Sequence, residues 1–165
     1  MNISFDLDDT LILHPQDRQT HTHERLLLTG EYLRRGTTEL LSELSRAHHI
    51  YLYTSSFRSP LQLGLSFLLK GIRIRKIING VLHDQIIRKY HFKNPPTKLP
   101  SHFGIDLHID NDSGVVDEGG LHGFQVLLID PDDQDWVTTI QHYLNPPTVV
   151  PHSEREPPPE SSIYH

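Results

Sequence analysis

Short apolar runs alternate with longer amphipathic segments along most of the 165-residue chain. Five runs are compact enough to be buried strands, beginning at Ile3, Ile50, Ile74, Leu107 and Phe124. Strands that alternate with helices are joined by right-handed crossovers, which place helices on both faces of a parallel sheet. The pattern therefore predicts an α/β fold, a Rossmann-like three-layer sandwich with a mainly parallel five-stranded central sheet.

Two helices are predicted from capping residues and leucine spacing. Thr37 can cap the first helix, and Ser59 followed by Pro60 can begin the second. Leucines recur at helical spacing in the second helix and form a stripe, namely Leu61, Leu65, Leu68 and Leu69. We expect this stripe to face the core, with no cofactor implied.

The remaining segments have simpler signals. Residues 13–29 are polar and rich in His, which is typical of a loop or flap over a site. A helical stretch ends near Tyr90, and Asp132 or Asp133 can cap a last helix that covers the sheet. Pro, Ser, Glu and His dominate from Asn145 onward. We therefore expect one domain over residues 1–144 and a disordered Pro-rich tail over residues 145–165.

Composition narrows the class of protein. Apolar residues make up 36% of the chain, which suits one small globular domain. No run approaches the roughly 18 apolar residues of a membrane span, and no signal-peptide pattern opens the chain. The absence of cysteine excludes disulfides and thiolate metal sites. We therefore expect a soluble, cytoplasmic protein without a membrane partner.

Charge is distributed unevenly along the chain. The formal net charge of −6 argues against general nucleic-acid coating. Residues 70–98 nevertheless contain eight basic residues and one acidic residue, Asp84, whereas the rest of the chain contains seven basic and 20 acidic residues. This basic segment is either a solvated face or a guide for a polyanionic substrate.

Carboxylates follow the first predicted strand directly. Asp6, Asp8 and Asp9 come after Phe5, and Thr10 closes the turn. In an open α/β sheet the carboxyl end of a strand faces the ligand crevice. Asp6 and Asp8 share one face of an extended chain, so they repel each other unless a proton or cation intervenes. The spacing suits a hard divalent metal ion, although Asp is also common in turns and caps.

Polar groups follow two further strands. The second strand ends at Thr54 and Ser55, and the fourth ends at Asp110 and Asn111. Because parallel strands end at the same edge of a sheet, we expect these groups to meet the carboxylates of the first strand. Such a cluster can supply the nucleophile, proton carrier, metal ligands and phosphate-binding donors of phosphoryl transfer.

These motifs, in this order, resemble those of the haloacid dehalogenase (HAD) superfamily. The first motif of that family is Asp-x-Asp-x-Thr after an apolar strand, which is similar to Asp6, Asp8 and Thr10. Its second motif is a strand that ends in Thr or Ser, like Thr54, and its fourth is a strand that ends in acids, like Asp110. The resemblance covers residues 2–144 and implies a phosphatase.

The resemblance implies a mechanism and a cofactor. Asp6 would attack phosphorus to form an aspartyl-phosphate, and Asp8 would protonate the leaving group and later activate water. Mg²⁺ would be held by Asp6, the backbone carbonyl of Asp8, and Asp110 or Asn111. The family more often has two aspartates in the fourth motif, so Asn111 leaves open which neighbour binds the metal. An Asp-Asn pair in the fourth motif is similar to that of the capless phosphatases of the RNA polymerase II C-terminal domain, and the resemblance to that branch is partial.

The resemblance also implies which groups bind phosphate. Thr54 would donate a hydrogen bond to the phosphoryl group, and a lysine of the third motif would neutralise it. We choose Lys98, which leads into the fourth strand. The alternatives are Lys93, Lys89 and Lys70. Further candidates for binding the substrate phosphate are Thr10, Ser55 and Arg58.

The intervals between the motifs bear on the substrate. Residues 11–49 and 79–97 are too few to form a substantial cap domain beside the predicted elements. The crevice is then either open, which suits phosphate on a macromolecule, or closed by a subunit or partner. A nucleotide or nucleic-acid end and a phosphoprotein are candidate substrates. Two other classes stay open. They are a phosphoacceptor receiver domain, which the motif order disfavours, and a catalytically quiet HAD-like binding module.

Overall fold

The computed structural model describes residues 1–13 and 24–146 of the chain. The predictions for residues 14–23 of the loop and for the tail beyond residue 146 lie outside these ranges. The elements are β1 (Asn2–Phe5), α1 (Thr37–Ala47), β2 (His49–Tyr53), α2 (Pro60–Leu68), β3 (Ile74–Ile78), α3 (Gly80–Tyr90), β4 (Leu107–Asp110), α4 (Ser113–His122), β5 (Val126–Leu128) and α5 (Trp136–Leu144). A short 3-10 helix, Pro100–Phe103, precedes β4. None of the described helices is long and apolar enough to cross a membrane.

All five strands are parallel and lie in the order β3-β2-β1-β4-β5. In the central strand β1, Ile3 is paired with Ile50 of β2 and with Leu107 of β4. The chain runs outward from β1 to β3 and then crosses back to β4. Right-handed crossovers therefore put α1 and α2 on one face of the sheet and α3 and α4 on the other. The predicted three-layer α/β fold is confirmed.

The two faces of the sheet have different side chains because successive strand residues point to opposite sides. We define the apolar face by Ile3, Phe5, Ile50, Leu52, Leu107 and Ile109, which join the main hydrophobic core with side chains of α1, α2 and α5. We define the polar face by Ser4, Asp6, Tyr51, Tyr53, His108 and Asp110, beside a small apolar cluster that includes Ile78 and Ile105. The catalytic candidates among these residues lie on the polar face.

The leucine stripe of α2 faces solvent, so its prediction as core is wrong. Ser59 caps the helix by accepting a hydrogen bond from the backbone N–H of Gln62, and Pro60 begins it, as predicted. The buried residues are Leu63, Ser66 and Phe67. The exposed fractions of Leu61, Leu65, Leu68 and Leu69 are 70%, 42%, 54% and 63%. Because α2 carries apolar residues all round, the leucine spacing does not reveal which face packs.

Two helix caps also differ from their predictions. Gly36, with φ at 85°, is the N-cap of α1, and Thr37 is the first, buried residue of that helix. Asp135 is the N-cap of α5, in place of Asp132 or Asp133. The Asp133 carboxylate instead accepts a hydrogen bond from the backbone N–H of Asp135. Each helix therefore begins one to three residues away from the position that the capping signals predict.

Candidate active site

The carboxyl end of β1 places two carboxylates over the centre of the sheet. The backbone N–H of Asp6 donates to the carbonyl oxygen of Ile109 at 2.9 Å, so strand pairing continues past β1. Asp9 then adopts the left-handed conformation, with φ at 59°, which Asp tolerates better than most residues. This turn leaves Asp8 in the lining of the same cavity as Asp6.

Lys98 lies between two carboxylates on the polar face. Its Nζ atom is 2.5 Å from Asp6 Oδ1 and 3.2 Å from Asp110 Oδ2, and it donates to the carbonyl oxygen of Tyr53 at 3.0 Å. Only 4% of the Lys98 side chain is exposed. The alternative lysines Lys93, Lys89 and Lys70 do not line this cavity in the described part of the chain. The structure thus brings Lys98 to the position that the prediction requires.

Contacts on two sides hold the loop that carries this lysine. The Glu118 carboxylate of α4 accepts hydrogen bonds from the backbone N–H and hydroxyl of Thr97, at 2.9 and 2.8 Å. The Tyr53 hydroxyl accepts a hydrogen bond from the Leu99 N–H at 2.9 Å and is 2.7 Å from His83 Nδ1. Burial lowers the pKa of His83 and raises the pKa of Tyr53, so both side chains are neutral near pH 7. The loop is therefore fixed from α4 and from β2.

A buried histidine holds Asp110. His108 Nε2 is 2.8 Å from Asp110 Oδ2, and its Nδ1 is 2.8 Å from Ser4 Oγ. Burial lowers the pKa of His108, and a neutral ring that donates through Nε2 and accepts at Nδ1 satisfies both partners. Burial pushes the pKa of Asp110 upward, but the hydrogen bond from His108 and the charge of Lys98 outweigh it and lower that pKa. Asp110 is thus an oriented carboxylate.

Asp6 lies where burial and neighbouring charges compete. Burial raises the pKa of Asp6 to about 6. The positive charge of Lys98 lowers this pKa, whereas the negative charges of Asp110 and Asp8 raise it further. Lys98 contacts Oδ1 of this carboxylate, and no described residue donates a hydrogen bond to Oδ2. The cluster therefore has an excess of negative charge that a bound cation would offset.

A cavity of about 240 Å³ opens over these groups. Its lining includes the four predicted metal ligands Asp6, Asp8, Asp110 and Asn111. Their oxygen donors suit Mg²⁺, which keeps several waters and needs few protein ligands. Within residues 1–13 and 24–146, no three acidic, His or Cys side chains already form a metal cluster. The donor chemistry fits Mg²⁺, while Lys98 bridges the two central carboxylates in this arrangement.

The predicted phosphate ligands differ in position. Ser55 is exposed and lines the cavity. Thr54 is fully buried, and its hydroxyl is hydrogen bonded to the hydroxyl and backbone N–H of Ser56, at 3.0 and 3.1 Å. Thr10 is also fully buried and donates to Asn111 Oδ1 at 3.1 Å. Ser55 therefore lies at the cavity, whereas Thr54 and Thr10 hold neighbouring residues through hydrogen bonds. Contacts of all three residues with the substrate phosphate stay predictions.

Arg58 is engaged by two carboxylates. Its Nη1 and Nη2 atoms donate to both oxygens of Asp8, at 2.8 and 2.7 Å, and its Nε donates to Glu31 Oε1 at 2.7 Å. The hydrogen bonds to Asp8 raise the pKa of Arg58. Arg58 thus orients the carboxylate predicted to carry the proton, and its contact with substrate phosphate stays a prediction.

Several residues of the site escape the sequence reasoning. Ser4 and His108 are register partners on the adjacent strands β1 and β4 and are hydrogen bonded to each other. A polar residue inside each of two apolar strands is the sequence feature that indicates this buried hydrogen bond. Glu118, His83 and Glu31 gave no comparable signal, because they lie 21, 30 and 27 positions along the chain from their partners.

Comparison with known proteins identifies the fold. No family model and no curated protein matches the chain. Among solved structures, the chain is similar to a predicted HAD-like family hydrolase from Porphyromonas gingivalis, with a TM-score of 0.52 at 14% sequence identity. The match covers 87% of this chain and 97% of that chain. The chain therefore has the HAD-like fold, with a five-stranded parallel sheet.

Proposed function

We propose that this protein is a magnesium-dependent phosphatase that hydrolyses phosphomonoesters through an aspartyl-phosphate on Asp6. The observation that carries the proposal is the Lys98 ammonium, which bridges Asp6 and Asp110 at a cavity that Asp8 also lines. Phosphoryl transfer needs a nucleophile, a proton carrier and a cation at one place, and the two carboxylates and the ammonium at this strand edge are groups that can fill these roles. The HAD-like fold supports the same reaction class.

Asp6 supplies the nucleophilic oxygen. Attack of Oδ2 on phosphorus forms the bond from Asp6 to phosphorus and breaks the bond to the leaving-group oxygen, which takes a proton from Asp8. In the second step a water molecule gives a proton to Asp8 and attacks the same phosphorus. Inorganic phosphate leaves and the Asp6 carboxylate is restored. The net reaction converts a phosphate ester and water into an alcohol and phosphate.

The neighbouring residues position these two carboxylates and the phosphoryl group. Lys98 offsets the charge of the phosphoryl oxygens, and its loop is fixed through Glu118 and Tyr53. Mg²⁺, held by Asp6, the backbone carbonyl of Asp8, and Asp110 or Asn111, would add further neutralisation of phosphoryl charge. Because His108 fixes Asp110, this carboxylate keeps one orientation while the reaction proceeds.

Proton transfer requires Asp8 to leave its ion pair, since both of its oxygens accept hydrogen bonds from Arg58. Glu31 offers Arg58 a second partner. Its Oε2 atom is buried and has no hydrogen-bond partner in the described chain, while Oε1 accepts from Arg58 Nε. A small rotation of the guanidinium onto both Glu31 oxygens frees Asp8 for chemistry.

The substitution Asp6→Asn tests the proposal. We expect phosphate release from 4-nitrophenyl phosphate with Mg²⁺ to fall by about 1,000-fold or more, because losing a covalent nucleophile removes the whole pathway. Asp117→Asn, on the exposed side of α4, is the matched control and should keep full activity. Full turnover in Asp6→Asn, or no turnover by the wild type with any phosphate ester, would contradict the proposed function.

A further inference from the structure

A second cavity, of about 220 Å³, adjoins the catalytic one. Its walls include Arg25, Thr29, Glu31, Tyr32 and Arg58. Most of these residues belong to a hairpin over residues 24–33, so we call this space the hairpin cavity. Among the described residues, Asp8 alone lines both cavities.

The hairpin is firmly attached to the domain. Its two arms pair through an antiparallel bridge between Arg25 and Tyr32, and a second bridge joins Leu33 to Ile12 in the turn after β1. Leu26 and Leu33 are fully buried in the core of the apolar face. The wall of the hairpin cavity is therefore set by the same core that positions β1.

Because Asp8 lines both cavities, the proposed reaction gives the hairpin cavity a role. In the proposed reaction Asp6 attacks phosphorus from the catalytic cavity, and Asp8 gives its proton to the departing oxygen. The departing group must therefore lie within reach of Asp8 and away from Asp6. The hairpin cavity meets both conditions, since Asp8 lines it and Asp6 does not.

The lining disfavours further negative charge and combines polar groups with the apolar side chains of Ile12 and Leu13. Its carboxylates are Asp8, Asp9 and Glu31, against the two guanidinium groups of Arg25 and Arg58. Arg58 donates to two of those carboxylates, and Arg25 lies 4.4 Å from the centre of the Tyr32 ring. A further phosphate in this cavity would meet excess negative charge, whereas hydroxyl groups would find both donors and acceptors.

The basic segment of residues 70–98 contributes no side chain to the lining of the hairpin cavity. Of its eight basic residues, Lys98 is the one that lines the catalytic cavity in the described chain. Arg75 and Lys76 are exposed on the edge strand β3, and Arg88 and Lys89 lie in the last turn of α3, far from its start at the carboxyl edge of the sheet. Lys70, another residue of the segment, is 3.8 Å from Glu24, the first residue of the hairpin. A polyanionic chain attracted to the four cations of β3 and α3 would therefore contact residues that line neither cavity.

We infer that the hairpin cavity is the leaving-group subsite and that it takes a small hydroxylated group without negative charge, of the size of a polyol or a single sugar. The inference rests on the proposed function and narrows it. The substrate is then a small phosphomonoester, in place of a phosphate on a macromolecule.

Steady-state kinetics with defined esters test this inference. We expect kcat/KM for glycerol 3-phosphate or glucose 6-phosphate to exceed that for a 5′-phosphorylated oligonucleotide by about tenfold or more. Thr29→Val and Arg25→Gln should raise KM for the preferred ester roughly threefold to tenfold, since each removes a polar contact to the leaving group. Inhibition by inorganic phosphate should stay unchanged, because phosphate alone occupies the catalytic cavity.

Arg35→Gln is the matched control for Arg25→Gln, since Arg35 is also exposed but lines a separate cavity near α5. It should leave KM at the wild-type value. An oligonucleotide that is turned over as well as the small esters would overturn the inference and leave the phosphatase standing. So would unchanged KM values in Thr29→Val and Arg25→Gln, or equal changes in KM and in phosphate inhibition. No phosphate release from any ester by the wild type would instead remove both the function and the subsite.

Discussion

The apolar and polar faces of the sheet are made from alternate residues of the same strands, yet their contacts differ in kind. Ile3 and Phe5 pack in the main core, while Ser4 between them is hydrogen bonded to His108. On the polar face the buried polar groups form hydrogen bonds with one another. His108 is hydrogen bonded to Asp110, and Asp110 accepts a hydrogen bond from Lys98. One face thus carries most of the hydrophobic stabilisation, and the other holds the charges of the site at a cost in desolvation.

Among substitutions that test the difference between the two faces, Leu52→Ala on the apolar face should have the largest effect on stability. Leu52 is fully buried, so the substitution should lower the free energy of unfolding by about 2–5 kcal/mol. Urea unfolding measures the loss, and phosphate release by the folded variant should keep its kcat. A large fall in kcat for folded Leu52→Ala would show that the two faces are not separable.

A smaller effect should appear in the pH dependence of stability in the presence of a metal chelator. Asp6 has a folded-state pKa of about 6, above its ordinary value of 3.8, so its contribution is fully present below pH 3.8 and is lost as the pH rises through 6. Between pH 4 and pH 7 the wild type should therefore lose on the order of 2 kcal/mol relative to Asp6→Asn. Thermal or urea unfolding of both proteins across that range measures the difference. Parallel stability curves for the two proteins would contradict the raised pKa.

Tyr53→Phe should have a moderate effect, because Tyr53 follows Leu52 on β2 and points to the opposite face. Removing the hydroxyl leaves the Leu99 N–H without its partner and should cost about 1–2 kcal/mol of unfolding free energy. We also expect kcat to fall while KM changes little, since the loop that carries Lys98 loses one of its supports. His83→Gln, which can keep a hydrogen bond to the hydroxyl, should retain more activity. An unchanged kcat in Tyr53→Phe would leave the hydroxyl with a purely structural role.

The smallest effect should come from Leu65→Ser on the solvent side of α2. Leu65 is 42% exposed, whereas Leu63 two residues earlier is fully buried. The free energy of unfolding should therefore change by no more than about 0.5 kcal/mol. A loss above 2 kcal/mol in urea unfolding would show that the leucine stripe is covered in solution.

Local signals in the sequence suffice for the framework of the fold. The strands are short apolar runs, and Asp6, Asp8 and Asp110 come directly at strand ends, so parallel topology brings them to one edge. Lys98 precedes β4 and reaches the same edge. These positions follow from chain order and from the geometry of parallel sheets, which need no knowledge of side-chain packing.

Packing between distant segments is not readable in the same way. The helix α4 went unpredicted because Gly114, Gly119 and Gly120 obscure its periodicity, although Gly119 is needed where a Cβ would come within 2.7 Å of the Phe124 carbonyl. The ion pair of Arg58 with Asp8 joins residues 50 positions apart. Such contacts depend on how two segments dock, and neither segment alone carries that information.

The edge strand β3 has a consequence for the behaviour of the protein at high concentration. An unpaired strand edge exposes backbone donors and acceptors on which another chain can add a strand. On β3, the neighbouring residues Arg75 and Lys76 are both exposed. Two copies that joined through this edge would bring four cations together, so growth of an aggregate from β3 is opposed by charge repulsion and becomes easier as salt screens it.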